Sequence, residues 1–264
     1  MELPIFQVDA FATEVFKGNP AAVVLLPNEI PESIMQEIAS ENNLSETAFV
    51  RLDLIPFEIR WFTPTTEVDL CGHATLASAF VLFTEEIFQE EVLNFQSKTS
   101  GILKVKPGDN GSLTLDFPVD NLQPSSVKLP FLESLGGTPE EIWEGSTDLI
   151  LRYSHESLIK NMKPDFAIIR EWPYRGVIVT AQADDSNIDF VSRFFGPAVG
   201  VDEDPVTGSA HTSLTPFWAD KLGKDHLIGK QLSKRGGTVF CHRHGNRVHL
   251  SGFCQYYMRG SISI

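Results

Sequence analysis

A run of uncharged residues lies in the first half of the chain. Residues 74–83 consist of alanine, leucine, valine and phenylalanine, with Thr75 and Ser78 as the polar members. Helix formers dominate the run and no face of such a helix would carry charge, so the pattern predicts a helix that is buried nearly all round. A helix of this length is too short to span a bilayer.

The residues just before this predicted helix are suited to chemistry. A helix start has free backbone N–H groups and the positive end of the helix dipole, which together attract an anion or a developing negative charge. Gly72 allows close approach to that backbone, and Cys71 and His73 bring titratable groups to the same point. The sequence therefore predicts a site at the start of this helix.

The second half of the chain repeats the arrangement. Phe-x-Pro segments at residues 62–64 and 195–197 precede the two turns, and Gly208 and Ser209 occupy the places of Gly72 and His73. A largely apolar stretch follows again, and the two glycines lie about half the chain length apart. We therefore predict two related halves, each presenting a helix start to a shared cleft.

Alternation of apolar and polar residues predicts strands elsewhere in the chain. These strands cover residues 5–11, 21–26, 57–61, 92–97, 102–106, 113–117, 177–181, 237–243 and 247–251. A helix is predicted over residues 31–42, and residues 138–141 (Thr-Pro-Glu-Glu) carry the signals of another helix start. Pro216 predicts a kink or a fresh start in the helix after Gly208.

Residues 118–130 hold three prolines and show no periodicity, so we place a boundary there. The predicted N-terminal lobe covers residues 1–118 and the C-terminal lobe covers residues 119–264. The predicted fold class is α/β of the α+β kind: two pseudo-symmetric lobes, each a mostly antiparallel sheet wrapped around a central apolar helix.

The amino-acid composition and net charge exclude some classes of function and partner. The 264 residues are 42% hydrophobic and 21% charged, as in ordinary globular proteins, and the formal net charge of −14 argues against nucleic acid as the main partner. No run approaches 18 apolar residues and no export signal is apparent, so we expect no membrane insertion. Three cysteines are an odd and sparse set typical of a reducing compartment, which indicates the cytoplasm.

The second turn offers polar groups of its own. Asp204 could orient a substrate amine or a histidine, and the Ser209 hydroxyl with the N–H groups of Gly208 and Ser209 could bind a carboxylate. The alternative is a solvated acidic loop that caps a helix, because acidic residues stabilise helix starts in any protein.

Five segments in this order resemble the PhzF-like family of phenazine-biosynthesis-type isomerases, and the resemblance runs from end to end. The segments are residues 18–21, 43–49, 71–75, 203–210 and 233–237. The resemblance implies the diaminopimelate-epimerase-like fold, an active site in the cleft between the lobes, proton-transfer chemistry on a small carboxylate substrate without a cofactor or metal, and a possible homodimer.

The resemblance also implies the site residues. Glu46 matches the general acid/base, while His73 and Asp204 complete the catalytic set; the positions matched to substrate binding are Asn19, Gly72, Ala74, Gly208 and Ser209. A carboxylate at the start of a partly buried strand would be desolvated, which raises its pKa and suits it to take and return a proton. Without the resemblance, a lone glutamate at the start of a strand would be taken for a surface residue.

Two other functions stay open. Related epimerases and racemases use one cysteine at each turn; Cys71 occupies the first place but Thr207 the second, and a threonine hydroxyl without a nearby base cannot abstract the proton. An epimerase using Cys71 with another partner is therefore the second hypothesis, and a non-catalytic binding protein on the same fold is the third.

Several candidate residues have structural alternatives. Cys71 could be a small buried filler, His73 a capping residue, and Asn19 part of a Gly-Asn-Pro turn. His242, His244 and His249 lie near one predicted hairpin and could be metal ligands, but no accompanying motif supports this, so we expect exposed hairpin histidines and no metal site.

Overall fold

The computed structural model describes residues 1–128 and 132–264. The chain forms two compact units, one comprising Met1–Phe117 with Ser251–Ile264 and the other Pro118–Leu250. The predicted lobes counted residues 251–264 with the second half, whereas the structure places them with the first. The last residues of the predicted boundary segment, 129 and 130, lie outside the described residues.

The first unit contains a mixed sheet and two helices. The strands, in chain order, are β1 (Glu2–Ala10), β2 (Asn19–Leu26), β3 (Glu46–Arg51), β4 (Phe57–Phe62), β5 (Glu67–Val68), β6 (Leu93–Ser97), β7 (Gly101–Pro107), β8 (Leu113–Pro118) and, at the end of the chain, β18 (Cys254–Ser263). The helices are α1 (Glu32–Asn42) and α2 (Gly72–Thr84). The sheet order is β18-β1-β2-β3-β4-β6-β7-β8, with β5 paired to β4.

Helix α2 is the enclosed helix that the sequence predicts. Its residues from His73 to Ala79 are all buried, and it packs mainly against β1, β2 and β3. Burial is possible on all faces because its few polar side chains bond to the helix backbone: the hydroxyls of Thr75 and Ser78 donate to the carbonyls of Cys71 and Ala74.

Within its described residues, the second unit has nine strands and three α-helices. Its strands are β9 (Gln123–Pro124), β10 (Glu141–Glu144), β11 (Asp148–Arg152), β12 (Gly176–Gln182), β13 (Phe190–Gly196), β14 (Val201–Asp204), β15 (His226–Gln231), β16 (Gly237–His244) and β17 (Arg247–Gly252). The helices are α3 (Glu156–Asn161), α4 (Phe166–Arg170) and α5 (Gly208–Leu222). The order is β9-β10-β11-β12-β13-β15-β16-β17, with β14 paired to β13.

The two units share one connectivity, which confirms the predicted duplication. The parallel pair β2–β3 corresponds to β11–β12, and the parallel pair β4–β6 corresponds to β13–β15. A short strand and a buried helix separate the members of the second pair in each unit: β5 and α2 in the first, β14 and α5 in the second. The remaining pairs with known register run antiparallel, so the predicted fold class is confirmed.

Pro216 lies inside α5 without ending the helix, which runs from Gly208 to Leu222. Proline has no N–H to give to the carbonyl of Thr212. That carbonyl accepts a hydrogen bond from the backbone N–H of Asp120 at 3.4 Å instead. The helix therefore does not start afresh at Pro216, and the predicted kink stays a prediction.

The helix start predicted at residues 138–141 is wrong. Glu141–Glu144 form strand β10, in which Ile142 pairs with Leu151 and Trp143 with Ile150. The capping signals are local, and the pairing of two large β-prone residues with β11 outweighs them. Among the described residues, no helix has the length and apolarity needed to cross a membrane.

Candidate functional site

Three elements of the first unit bring Asn19, Glu46 and His73 together. Asn19 is the first residue of β2, Glu46 is the first residue of β3, and His73 is the second residue of α2. Because β2 and β3 are parallel neighbours, with Ala21 paired to Glu46, their first residues lie at the same edge of the sheet. The predicted catalytic and substrate-binding residues of this half therefore share one location.

His73 lies at the centre of this group. Its Nδ1 atom is 3.1 Å from Asn19 Nδ2, and its Nε2 atom is 3.2 Å from Glu46 Oε2. Cys71 Sγ lies 3.5 Å from Nδ1 and 4.0 Å from Nε2. The imidazole thus has a neighbour at each nitrogen, which fixes the ring relative to the carboxylate.

The Glu46 carboxylate is largely removed from water. Its side chain is 17% exposed and that of His73 is 6% exposed. Its Oε2 atom is buried, and Nε2 of the His73 imidazole lies 3.2 Å from it. A carboxylate oxygen has two lone pairs, so one contact does not use up its capacity to accept. This oxygen therefore keeps acceptor capacity while it lies beside an imidazole.

The group's charges depend on its burial and on its neighbours. Burial opposes a charged imidazole, but Cys71 and the Glu46 carboxylate favour it more strongly, so the pKa of His73 lies well above its usual value. Burial, with the Glu46 charge adding to it, raises the pKa of the Cys71 thiol to about 11. At neutral pH the Cys71 thiol is therefore protonated and uncharged.

In the second unit, Asp204 and Thr207 form a tight turn before α5. The Thr207 hydroxyl donates to Asp204 Oδ2, so this hydroxyl is already engaged. The buried amide of Gln231, the last residue of β15, accepts from the Thr207 N–H at 2.9 Å and donates to the Asp204 carbonyl at 2.7 Å. Asp204 is therefore held by its neighbours at the start of the second buried helix.

Ser209 has a cationic neighbour that sequence reasoning missed. Arg175 Nη2 donates to Ser209 Oγ at 2.9 Å. The same guanidinium also forms two hydrogen bonds with the Asp148 carboxylate, from Nε to Oδ1 at 2.9 Å and from Nη2 to Oδ2. The Asp148 side chain is 4% exposed and that of Arg175 is 37% exposed. A fixed guanidinium beside a hydroxyl is suited to bind a carboxylate.

Both buried helices begin without a side-chain cap. Cys71 precedes α2 and Thr207 precedes α5, and neither side chain makes a capping hydrogen bond. Gly72 and Ala74 lie in the first turn of α2, and Gly208 and Ser209 lie in the first turn of α5, as predicted. The prediction that the two helix starts serve one cleft stays a prediction.

The predicted hairpin histidines form a surface group with a fourth member. His226 stacks on His242 with ring centroids 3.8 Å apart, and His249 and His244 each lie about 6 Å from His242. His226 and His244 are exposed and the other two are half-buried. Among the described residues, the set of donors close enough to hold a metal is elsewhere: Glu46, Cys71 and His73 have ligand atoms within 4.8 Å of one another.

Comparison with known proteins gives a consistent result. The profile of the phenazine biosynthesis-like protein family matches residues 8–260. A Pseudomonas aeruginosa protein named an uncharacterized isomerase is 47% identical over 264 residues, and the match covers 100% of both chains. The crystal structure of a PhzF-family phenazine biosynthesis protein from Enterococcus faecalis has a TM-score of 0.94 at 44% identity and covers 100% of both chains.

A more distant structure shares the fold alone. A Pseudomonas aeruginosa protein described as a predicted epimerase has a TM-score of 0.73 at 18% identity, covering 98% of this chain and 99% of that chain. The family resemblance and the epimerase-like fold predicted from the sequence are both confirmed. Because the family profile and the relatives span the chain nearly from end to end, this protein belongs to the phenazine biosynthesis-like (PhzF) family.

Proposed function

We propose that this protein is an isomerase that moves a proton on a small carboxylate substrate, with Glu46 as the acid/base. One observation carries the proposal: a buried carboxylate oxygen of Glu46 lies 3.2 Å from the imidazole of His73, at the start of the buried helix α2. A base needs an available lone pair and a fixed position, and Glu46 has both.

The proposed reaction breaks one C–H bond and forms another. Glu46 takes a proton from a carbon next to an unsaturated or carboxyl group, so an O–H bond forms on Glu46 and the C–H electron pair spreads into that group. The same carboxyl then returns the proton to a different carbon or to the other face of the same carbon, and Glu46 is again a carboxylate. Nothing is oxidised or reduced, and the product is an isomer of the substrate.

His73 and the start of α2 support the charges in this reaction. The His73 imidazole, 3.2 Å from Glu46 Oε2, holds the carboxylate in position. The backbone N–H groups of the first turn of α2 are available for negative charge that develops on the substrate. In the second unit, Ser209 and Arg175, with the first turn of α5, are proposed to form a group that binds a carboxylate.

The thiol route is less favourable on chemical grounds. With a pKa of about 11, Cys71 is protonated at neutral pH and is a poor base. Thr207, at the corresponding place in the second unit, donates its hydroxyl proton to Asp204. A carboxylate therefore remains as the better proton acceptor at the start of α2.

The test is a screen of small unsaturated, amino and hydroxy carboxylates in heavy water, followed by NMR for deuterium uptake and for isomers. We expect at least one compound to isomerise, with the rate about 10³-fold lower in Glu46→Gln because a general acid/base is worth about 10²–10⁴-fold. Glu58→Gln is the matched control, since Glu58 is a half-buried carboxylate on the adjacent strand.

The other functions predict different results. Turnover that survives Glu46→Gln but not Cys71→Ser would indicate an epimerase that works through the thiol. Compounds that bind equally to the parent protein and to Glu46→Gln, without deuterium uptake in either, would indicate a binding protein.

A further inference from the structure

We propose that Glu46, Cys71 and His73 form a reversible binding site for a borderline-soft divalent metal such as Zn²⁺, and that metal binding switches off proton transfer. The three side chains offer a carboxylate oxygen, a thiol sulfur and an imidazole nitrogen, all within 4.8 Å of one another. Oxygen, nitrogen and sulfur donors of these types are the ligands found at protein zinc sites.

The spacing of the donors matches a tetrahedral metal. Zinc binds imidazole nitrogen and carboxylate oxygen at about 2.0–2.2 Å and thiolate sulfur at about 2.3 Å, so the donors of one tetrahedral ion lie roughly 3.3–3.6 Å apart. In the structure His73 Nε2 is 3.2 Å from Glu46 Oε2 and 4.0 Å from Cys71 Sγ. The three donors lie within 4.8 Å of one another, so side-chain shifts on the order of 1 Å would place them around one ion.

The surroundings also suit a metal. The Asn19 side chain lies at the other ring nitrogen of His73, and with its amide turned so that Oδ1 accepts from the Nδ1–H, it would orient a metal-bound imidazole. The 17% exposure of the Glu46 side chain leaves a route from solvent. Three protein ligands leave the fourth tetrahedral position for water or for a substrate group.

Metal binding would remove the function of Glu46. The Cys71 thiol proton and the His73 Nε2 proton pass to solvent as the metal binds, and the Oε2 lone pair that would accept a substrate proton is used by the metal instead. The inhibition, though not the binding, rests on the proposed function of Glu46. The site therefore makes the isomerase sensitive to zinc.

The surface histidines are a competing location that an experiment must separate. His226, His242, His244 and His249 offer imidazole nitrogens without a thiol. The cysteines outside the site, Cys241 and Cys254, are buried. A signal that needs a metal–sulfur bond therefore distinguishes the proposed site from the histidine group.

The test is titration of the reduced, metal-free full chain with Co²⁺, followed in the near ultraviolet, where a thiolate-to-cobalt charge-transfer band appears. We expect a band that saturates at one metal per chain, disappears in Cys71→Ser, and persists in Cys241→Ala and His242→Ala. Zn²⁺ should displace the Co²⁺ and raise the melting temperature of the parent chain but not of Cys71→Ser. Absence of the band in the parent chain, or an equal band in Cys71→Ser, overturns the proposal.

A second measurement tests the inhibition. Zn²⁺ should lower isomerase turnover of the parent chain at concentrations at least 10-fold below those needed for Cys71→Ser; equal sensitivity of both chains overturns the switch. If the cobalt band forms as expected but no carboxylate is isomerised, the metal site stands and the proposed isomerase function fails.

Discussion

The two units place different side chains at the same positions of one topology. In the first unit, the start of the second strand carries Asn19, the start of the third strand carries Glu46, and the second residue of the buried helix is His73. The resulting group is a glutamate carboxyl beside an imidazole.

The second unit carries an ion pair and a hydroxyl at the corresponding positions. Asp148 begins β11, Arg175 directly precedes β12, and Ser209 is the second residue of α5. These three residues bond to one another through the guanidinium of Arg175. Because the backbone arrangement is shared, side-chain type alone decides that one group is suited to move a proton and the other to hold an anion.

Removing the cation of the second unit should have the largest effect. We expect Arg175→Gln to lower kcat/KM for an isomerised carboxylate by about 100-fold, mostly through KM, because a charge-assisted bond contributes roughly 1.5–3 kcal/mol. The variant also leaves Asp148 buried without its cation. The unfolding free energy should fall by about 2 kcal/mol, below the ~3–5 kcal/mol of a fully buried pair because the guanidinium is partly exposed.

Arg170→Gln is the control for this prediction, since Arg170 is 54% exposed and lies 3.5 Å from Asp202. Adding Asp148→Asn to Arg175→Gln should recover much of the stability but not the KM. A KM for Arg175→Gln equal to that of Arg170→Gln would contradict an anion-binding role.

The ion pair of the first unit should appear in the pH dependence of stability. The pKa of His73 is raised above its ordinary value of 6.5, so the folded chain holds this proton more tightly than the unfolded chain does. The stabilisation is complete below about pH 6.5 and is lost as pH rises toward the folded pKa. The difference in unfolding free energy between the parent chain and His73→Gln should therefore shrink from pH 6 to pH 8.

Urea unfolding at several pH values measures this difference. Below pH 8 the cysteines contribute little, because burial raises the pKa of Cys71 to about 11 and of Cys241 to about 12. A difference that grows with pH would show that His73 is neutral in the folded chain.

Among these residues, Ser209 should contribute the least to substrate binding. Its hydroxyl is one neutral partner of Arg175, and such a bond is worth about 0.5–1.5 kcal/mol. We therefore expect Ser209→Ala to raise KM by about three- to tenfold while kcat and the melting temperature stay nearly constant. A large loss of kcat would instead indicate that Ser209 acts on the reacting atoms.

Sequence patterns predicted much of this comparison. The uncharged run at residues 74–83 predicted α2, because a buried helix has an apolar sequence. The two glycine-containing turns, half the chain length apart, predicted the duplication, because the start of a helix also has a local sequence signal. The family motifs predicted that Glu46 and His73 belong to one site, and the structure places them in contact. Their catalytic roles stay predictions.

No local sequence pattern predicted that Arg175, the cation of the second unit, lies beside Ser209. Arg175 and Asp148 lie 27 residues apart and meet because β11 and β12 pair in parallel. Gln231 likewise reaches Thr207 from the end of β15. Contacts of this kind depend on strand pairing, which no local pattern of a single sequence specifies. Strand pairing also overrode the capping signals at residues 138–141.

The most direct measurement follows one hydrogen. A carboxylate found in the screen is deuterated at the reacting carbon and isomerised in ordinary water, and the product is analysed early for deuterium at its new C–H position. If the Glu46 carboxyl carries the proton in both directions, part of the label returns to the product, and Cys71→Ser gives the same fraction. A product without label, formed at the full rate by Glu46→Gln but not by Cys71→Ser, would contradict the account.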